Sequence, residues 1–107
     1  MTRTYTVIFT PRAERHLDSL YSYIADQSGE ARAKHFVGRI IDHCRNLSTF
    51  PERGTKRDDI RPGLRTTSFA RRVMIAYAVD GDADTVAILG VYYGGQDFEQ
   101  ALGEGAD

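Results

Sequence analysis

Arginine and tyrosine side chains that could act on a phosphate ester are concentrated in the second half of the sequence. Guanidinium groups bind phosphate through paired hydrogen bonds and keep their charge. In a ribonuclease that uses no metal, such cations would stabilise the developing negative charge while a tyrosine transfers the proton. The candidates are Arg61, Arg65, Arg71, Arg72, Tyr77, Tyr92 and Tyr93. The alternative is that the arginines pair with Asp-rich loops and the tyrosines only pack within a sheet, where tyrosine is common.

Other kinds of catalytic or binding site have little support in the sequence. His16, His35 and His43 show no metal-ligand spacing. Cys44 falls on a predicted apolar helix stripe and is therefore expected in the core rather than as a nucleophile. No serine lies in a G-x-S-x-G motif, and no phosphate-binding or dinucleotide-binding glycine pattern is present. We expect no metal site and no cofactor.

Charge is distributed unevenly, although the formal net charge of −1 indicates no particular partner. Basic residues cluster in one short stretch: Arg53, Lys56, Arg57, Arg61, Arg65, Arg71 and Arg72. After Arg72 the chain contains acidic residues and no lysine or arginine. A basic middle and an acidic end favour a surface region whose charge is mainly of one sign. The alternative is that these residues form ordinary solvated charged faces, which are common.

The first half of the chain predicts one strand followed by two helices. Residues 4–9 are rich in β-branched and aromatic types, which favours a strand. Thr10 and Pro11 form a helix start, and apolar residues at helical spacing continue to about Gln27. Ser28 is the predicted cap of the second helix, whose apolar stripe runs over residues 33–47. Because the link is short, we expect an antiparallel helix hairpin.

The second half predicts a loop and then three strands. Residues 52–63 contain glycine, proline and many charges, which is typical of a loop. Strands are predicted at residues 64–69, 72–79 and 85–93, and the Asp-rich residues 80–84 form a hairpin turn. Residues 96–102 can form a short C-terminal helical turn. The fold class is α+β in the order β-α-α-β-β-β, with the helix hairpin packed on a small, mainly antiparallel sheet, in a single domain over residues 1–107.

Cellular location is an expectation from composition. One cysteine, Cys44, permits no internal disulfide and fits a reducing compartment. We find no apolar run of about 20 residues that could cross a bilayer, and the first residues have no signal-peptide core. We therefore expect a cytoplasmic protein.

Several short segments together resemble the RelE/ParE toxin superfamily, and within it the ParE-like branch. These segments are T-P-R-A-E-R-H-L (residues 10–17), F-P-E-R-G (50–54), R-P-G-L-R (61–65), R-R-V-M-I-A-Y (71–77) and I-L-G-V-Y-Y-G-G-Q-D-F-E (88–99). They cover nearly the whole chain in the expected order. The resemblance implies the toxin of a type II toxin–antitoxin pair.

The ParE-like branch implies a toxin that binds and inhibits DNA gyrase. A binding inhibitor is therefore favoured over an enzyme. It implies target contacts from Arg57, Arg61, Arg65, Arg71, Arg72, Tyr93, Gln96, Asp97 and Phe98. Gln96 stands where the branch usually has an arginine, which bears on potency. The alternatives are a RelE-like, ribosome-dependent mRNA endoribonuclease, with Arg65, Arg72 and Tyr92 as its catalytic set, and a degenerate toxin that only binds its partner. The ribonuclease is less favoured because no group after Tyr93 could transfer the proton.

The resemblance also implies a cognate, ParD-like antitoxin as protein partner in a hetero-oligomer, with no membrane and no direct nucleic-acid partner outside that complex. An antitoxin tail that orders on binding needs apolar grooves with some positive charge. The predicted antitoxin contacts are Leu20, Tyr21, Ile24, Arg65, Tyr77 and Tyr92.

Overall fold

The helix hairpin is present in the computed structural model, which describes residues 4–94. Helix α1 spans Pro11–Ser28 and helix α2 spans Glu30–Arg45, followed by a 3-10 turn at Asn46–Ser48. The predicted start of α1 is confirmed. The Thr10 hydroxyl accepts a hydrogen bond from the Ala13 amide at 3.3 Å, and Pro11 occupies the first turn, where its missing N–H costs nothing.

The junction between the helices differs from the prediction. Ser28 is the last residue of α1 and does not cap α2. Gly29 is instead the cap residue of both helices, with φ of 95°, a conformation that glycine adopts without a steric penalty. One residue therefore reverses the chain, because no side chain has to be accommodated at that position.

Five strands form one mixed sheet. Strands β1 (Thr6–Phe9), β2 (Thr55–Lys56), β3 (Leu64–Phe69), β4 (Val73–Asp80) and β5 (Thr85–Tyr93) lie in the order β1-β5-β4-β3-β2. The β1–β5 pair is parallel and the other pairs are antiparallel. Strand β5 is apolar on both faces, as predicted for an internal strand, and lies between β1 and β4.

Strand β2 corrects the prediction that residues 52–63 form only a loop. Thr55 pairs with Thr66, and Lys56 pairs with Arg65, on the outer edge of β3. A two-residue polar strand carries no alternating pattern in the sequence, so only its partner strand defines it.

Both helix stripes pack on one face of the sheet. The fully buried centre of that layer includes Ile40, Ile75 and Ile88. A bulge lies between β4 and β5, where Ala76 pairs with Gly90 and Tyr77 with Ile88, so that Leu89 is an extra residue. The bulge changes the alternation of β5, and Val91 therefore joins Ile88 in the helix-side core. The opposite face carries a smaller cluster centred on Leu64, Ala76 and Tyr92.

The predicted β4–β5 turn and the core position of Cys44 are also confirmed. The Asp80 carboxylate accepts hydrogen bonds from the amides of Asp82 and Ala83 at 3.0 and 3.1 Å, a typical Asx turn. Cys44 is fully buried, and burial raises the pKa of its thiol to about 12, so its reactive thiolate form is suppressed. Neither helix of the described chain is long and apolar enough to cross a membrane.

Candidate functional site

Two of the predicted site residues hold a loop in place. Arg65 on β3 and Tyr77 on β4 pair directly. The Tyr77 hydroxyl donates to the Pro51 carbonyl at 2.8 Å and accepts from the Gly54 amide at 2.9 Å. The Arg65 guanidinium donates to the carbonyls of Gly54 at 3.0 Å and Glu52 at 3.3 Å. Residues 50–54, the F-P-E-R-G segment, are therefore fixed to the sheet by side chains from two strands.

This arrangement changes the interpretation of both side chains. Tyr77 is fully buried, so the prediction that it contacts an antitoxin does not fit its position in this structure. Burial raises the pKa of its phenol, which opposes a role in proton transfer. Arg65 donates to loop carbonyls rather than to the Asp-rich loops of the alternative prediction. For Tyr77, packing within the sheet is the interpretation that the structure supports.

The predicted basic cluster is divided between the two ends of β3. Arg57, which forms an ion pair with Asp59 at 3.0 Å, and Arg61 lie before the strand, near Arg65 at its beginning. Arg71 and Arg72 follow its end and are exposed. Strand geometry separates the two groups by roughly 15 Å. These five arginines therefore lie in two groups rather than in one continuous patch.

The turn that carries Arg71 and Arg72 has an uncommon backbone. Ala70 and Arg71 both adopt left-handed conformations, with φ of 52° and 66°. Two successive positive φ values are typical of tight hairpin turns, which usually contain asparagine or glycine. Non-glycine residues in this region carry strain, and such strain is concentrated at functional sites.

Arg72 contributes to a groove of about 570 Å³ between α1 and the end of β5. We call it the α1–β5 groove, and it is lined by His16, Ser19, Leu20, Tyr23, Arg72, Val91, Tyr93 and Gly94. His16 connects its two walls, since its Nδ1 accepts a hydrogen bond from the Val91 amide at 3.1 Å. That bond requires Nδ1 to be unprotonated.

Tyr92 lies beside this groove on the other face of the sheet. Its ring contacts His16, with ring centroids 4.9 Å apart. Together with Arg71, Arg72 and Ser68 it borders a pocket of about 130 Å³. Tyr92 is nevertheless only 6% exposed. Within the predicted ribonuclease set, the structure brings Arg72 and Tyr92 together and leaves Arg65 at the far end of β3.

The predicted antitoxin contacts on α1 divide between two sides of the helix hairpin. Leu20 lines the α1–β5 groove, and Ile24 lines an adjoining groove of about 270 Å³. We call the latter the α1–α2 groove, and it is lined by Tyr23, Ile24, Gln27, Ser28, Arg32, Phe36 and Tyr93. Tyr21 instead borders a separate groove with Glu14, Leu17, Asp18, Val37 and Ile41.

His43 occupies a partly buried position away from these grooves. Its ring contacts Phe69, with centroids 5.3 Å apart, and Arg39 lies over the same phenylalanine ring. Its Nε2 atom is buried and has no hydrogen-bond partner among the described residues. Burial lowers the pKa of His43, and the positive charge of Arg53 lowers it further.

Sequence reasoning missed several groove residues. His16, Ser19 and Tyr23 follow an i, i+3, i+7 spacing, which places them on the same face of α1 as the predicted contact Leu20 and could have identified them. Arg32 and Phe36 show the same i, i+4 relationship on α2. Their proximity to Tyr93 depends on where β5 packs against the helices, and no local sequence pattern indicates it.

Three of the predicted target contacts and the predicted C-terminal turn lie outside the residues that the structure describes. Gln96, Asp97, Phe98 and the helical turn over residues 96–102 lie outside residues 4–94. Within that described range, no group of three or more His, Cys, Asp and Glu side chains could hold a metal ion.

Solved structures with the same architecture define the fold class. A chain of the chromosomal ParDE toxin–antitoxin system of Pseudomonas aeruginosa aligns over 87% of this chain and 99% of its own length, with a TM-score of 0.74 and 22% identity. A chain of the RelBE2 toxin–antitoxin complex of Mycobacterium tuberculosis covers 84% and 98%, with a TM-score of 0.61 and 24% identity. A mutant of the Escherichia coli toxin RelE gives a TM-score of 0.64 at 14% identity, over 92% of each chain. This is the RelE/ParE fold.

Sequence comparison identifies the family. Residues 7–98 match the family described as the ParE toxin of the type II toxin–antitoxin system parDE. Toxin ParE3 of Caulobacter vibrioides is 32% identical over 98 residues, which cover 92% of this chain and 95% of that protein. The chain belongs to the ParE toxin family, and the resemblance recognised in the sequence is confirmed.

Proposed function

We propose that this toxin acts by binding DNA gyrase rather than by cleaving RNA, and that a cognate antitoxin in the cytoplasm neutralises it. Membership of the ParE family supports gyrase as the target, because ParE-like toxins are described as gyrase poisons. The antitoxin is proposed as a ParD-like protein.

The observation that carries this proposal is the separation of Arg65 from Arg72 and Tyr92. A metal-free ribonuclease needs its cations and its proton-transfer group around one phosphate. Arg65 is instead bonded to the carbonyls of Glu52 and Gly54, and β3 separates it from Arg72. Exposed arginines on a strained turn are better suited to a protein target, where arginine is a frequent anchor.

One arrangement favours RNA cleavage as a second candidate. Arg72 and Tyr92 border the same small pocket, with Arg71 and Ser68 beside them. A phosphate in that pocket could meet two guanidinium groups and a phenol.

Expression of the chain without its antitoxin separates these functions. We expect arrested growth, inhibition of DNA supercoiling by purified gyrase, and unchanged RNA 5′ ends. The double variant Arg71→Ala/Arg72→Ala should lose at least ten-fold in gyrase inhibition, whereas Lys34→Ala, which removes an exposed cation from α2, should match the wild type. New RNA ends that disappear in Arg72→Ala would establish the ribonuclease instead. Normal growth at an undiminished protein level would contradict both toxic functions.

A further inference from the structure

Two grooves on the α1 side of the molecule join into one trough. The α1–β5 groove and the α1–α2 groove share Tyr23 and Tyr93, whose ring centroids are 6.0 Å apart. Phe36 packs edge-on against Tyr93, with ring centroids 6.2 Å apart. The trough therefore has an aromatic centre, and Tyr23 is 54% exposed there. An exposed tyrosine beside apolar side chains is typical of a binding surface.

Positive charge lies at both ends of the trough. Arg72 borders the end nearest the β3–β4 turn, and Arg32 borders the end nearest the helix junction. Both arginines are exposed, and no aspartate or glutamate lines either groove within the described residues. Along α1 the trough runs from His16 to Gln27, which corresponds to about 17 Å of helix.

The other groove of the helix hairpin has the opposite charge. It is also apolar, with Leu17, Val37 and Ile41 among its lining residues, but Glu14 and Asp18 stand at its edge. A partner segment with carboxylates is therefore repelled from that groove and attracted to the trough.

We infer that the trough binds one segment of the antitoxin, with apolar side chains at its centre and Asp or Glu at both ends. The length fits about eleven residues in a helix or five in an extended strand. The apolar centre of the segment covers Tyr23 and Tyr93, and its carboxylates meet Arg32 and Arg72. The inference rests on the proposed function, because it assumes that an antitoxin exists.

The test uses the full chain and the protein encoded by its neighbouring gene, purified separately and titrated against each other. We expect Arg32→Glu and Arg72→Glu each to weaken the complex about ten-fold, and the double variant more. Lys34→Glu makes the same charge change on the exposed surface of α2 outside the trough, and should stay within about two-fold of the wild type. Tyr23→Ser should also weaken binding, whereas Phe50→Ser, at another aromatic residue that is 58% exposed, should not. Unfolding midpoints within error of the wild type show that each variant is folded.

The outcomes separate the inference from the proposed function. If the neighbouring protein binds and the two arginine variants bind as tightly as the wild type, the trough assignment is wrong and the antitoxin proposal stands. An equal loss in Lys34→Glu would assign the effect to net charge and overturn the assignment. If the neighbouring protein binds neither the wild type nor any of the variants, both are overturned. If the chain alone forms a dimer and Arg32→Glu dissociates it, a second copy of the chain occupies the trough and the assignment to the antitoxin is wrong. If the neighbouring protein binds only after Asp97→Asn and Glu99→Gln, the trough is assigned to the chain's own acidic residues instead.

Discussion

Arg65 and Tyr77 face each other across β3 and β4 and bind the backbone of the same loop. Both side chains bind Gly54, since its amide donates to the Tyr77 hydroxyl and its carbonyl accepts from Arg65. The loop is thus attached to both strands, and a shift of either strand away from the loop would break at least one of these bonds.

Removing the Tyr77 hydroxyl tests this clamp. In Tyr77→Phe the Pro51 carbonyl and the Gly54 amide lose their partner, and we expect the free energy of unfolding to fall by about 1–3 kcal/mol. Urea unfolding measures the change. Tyr23→Phe, which changes an exposed tyrosine, is the control and should change stability by less than about 0.5 kcal/mol. A Tyr77→Phe protein as stable as the wild type would mean that the loop is held by other contacts.

Gly54 lies too close to the clamp to carry a side chain. A Cβ atom at this position would be 2.6 Å from both the Thr66 carbonyl oxygen and the Tyr77 hydroxyl. Because one of these neighbours is backbone, we expect Gly54→Ala to destabilise the protein by about 2–3 kcal/mol.

Gly38 provides the matched control for that substitution. It lies within α2, and a Cβ atom there meets nothing within 4 Å. Gly38→Ala should stabilise the protein by about 0.5–1 kcal/mol, since alanine favours the helix. The two alanine variants should therefore shift the urea midpoint in opposite directions, and a shared direction would contradict the assigned environments.

His43 makes stability depend on pH. Its folded-state pKa lies below the ordinary value near 6.5, so the folded state favours the neutral ring. The resulting stability is complete above pH 6.5 and is lost as the pH falls through that value toward the lowered pKa. We expect wild-type stability to decrease between pH 7 and pH 5 more steeply than that of His43→Leu, by urea unfolding at each pH. His35→Leu, at an exposed position of α2, should keep the wild-type slope. Parallel curves for the wild type and His43→Leu would show that His43 is not responsible.

The left-handed turn at Ala70 can be relaxed. Glycine accepts a φ of 52° without the steric cost that alanine has there, so Ala70→Gly should raise stability by about 0.5–1 kcal/mol. Ala31→Gly, in the exposed first turn of α2, should instead lower it by up to about 1 kcal/mol. Thermal unfolding compares the two. A loss of stability in Ala70→Gly would show that the turn is unstrained.

Local patterns were sufficient to predict most of the fold. The Thr10–Pro11 start and the helix stripes are local features, and β5 was recognised because it is apolar on both faces. Strand β2 was missed because two polar residues have no periodicity. The bulge at Leu89 was missed because it is a property of the β4–β5 register, which no local pattern encodes.

The site was harder to predict for the same reason. Arg65 and Tyr77 were selected for their chemistry, but their roles follow from a loop that is distant in sequence. The division of the basic cluster was accessible, because the predicted strand over residues 64–69 is long enough to separate its ends. The meeting of Tyr93 with Tyr23 and Phe36 required the three-dimensional arrangement.

The parallel pairing of β1 with β5 has a consequence for biosynthesis. The strand made first during translation lies beside the strand made last of the five, and β5 also separates β1 from β4. A ribosome therefore completes both helices before the centre of their sheet exists, and such long-range pairings form late. The α1–β5 groove is absent until Tyr93 has been added. Interrupted translation of this toxin thus yields fragments that lack the α1–β5 groove.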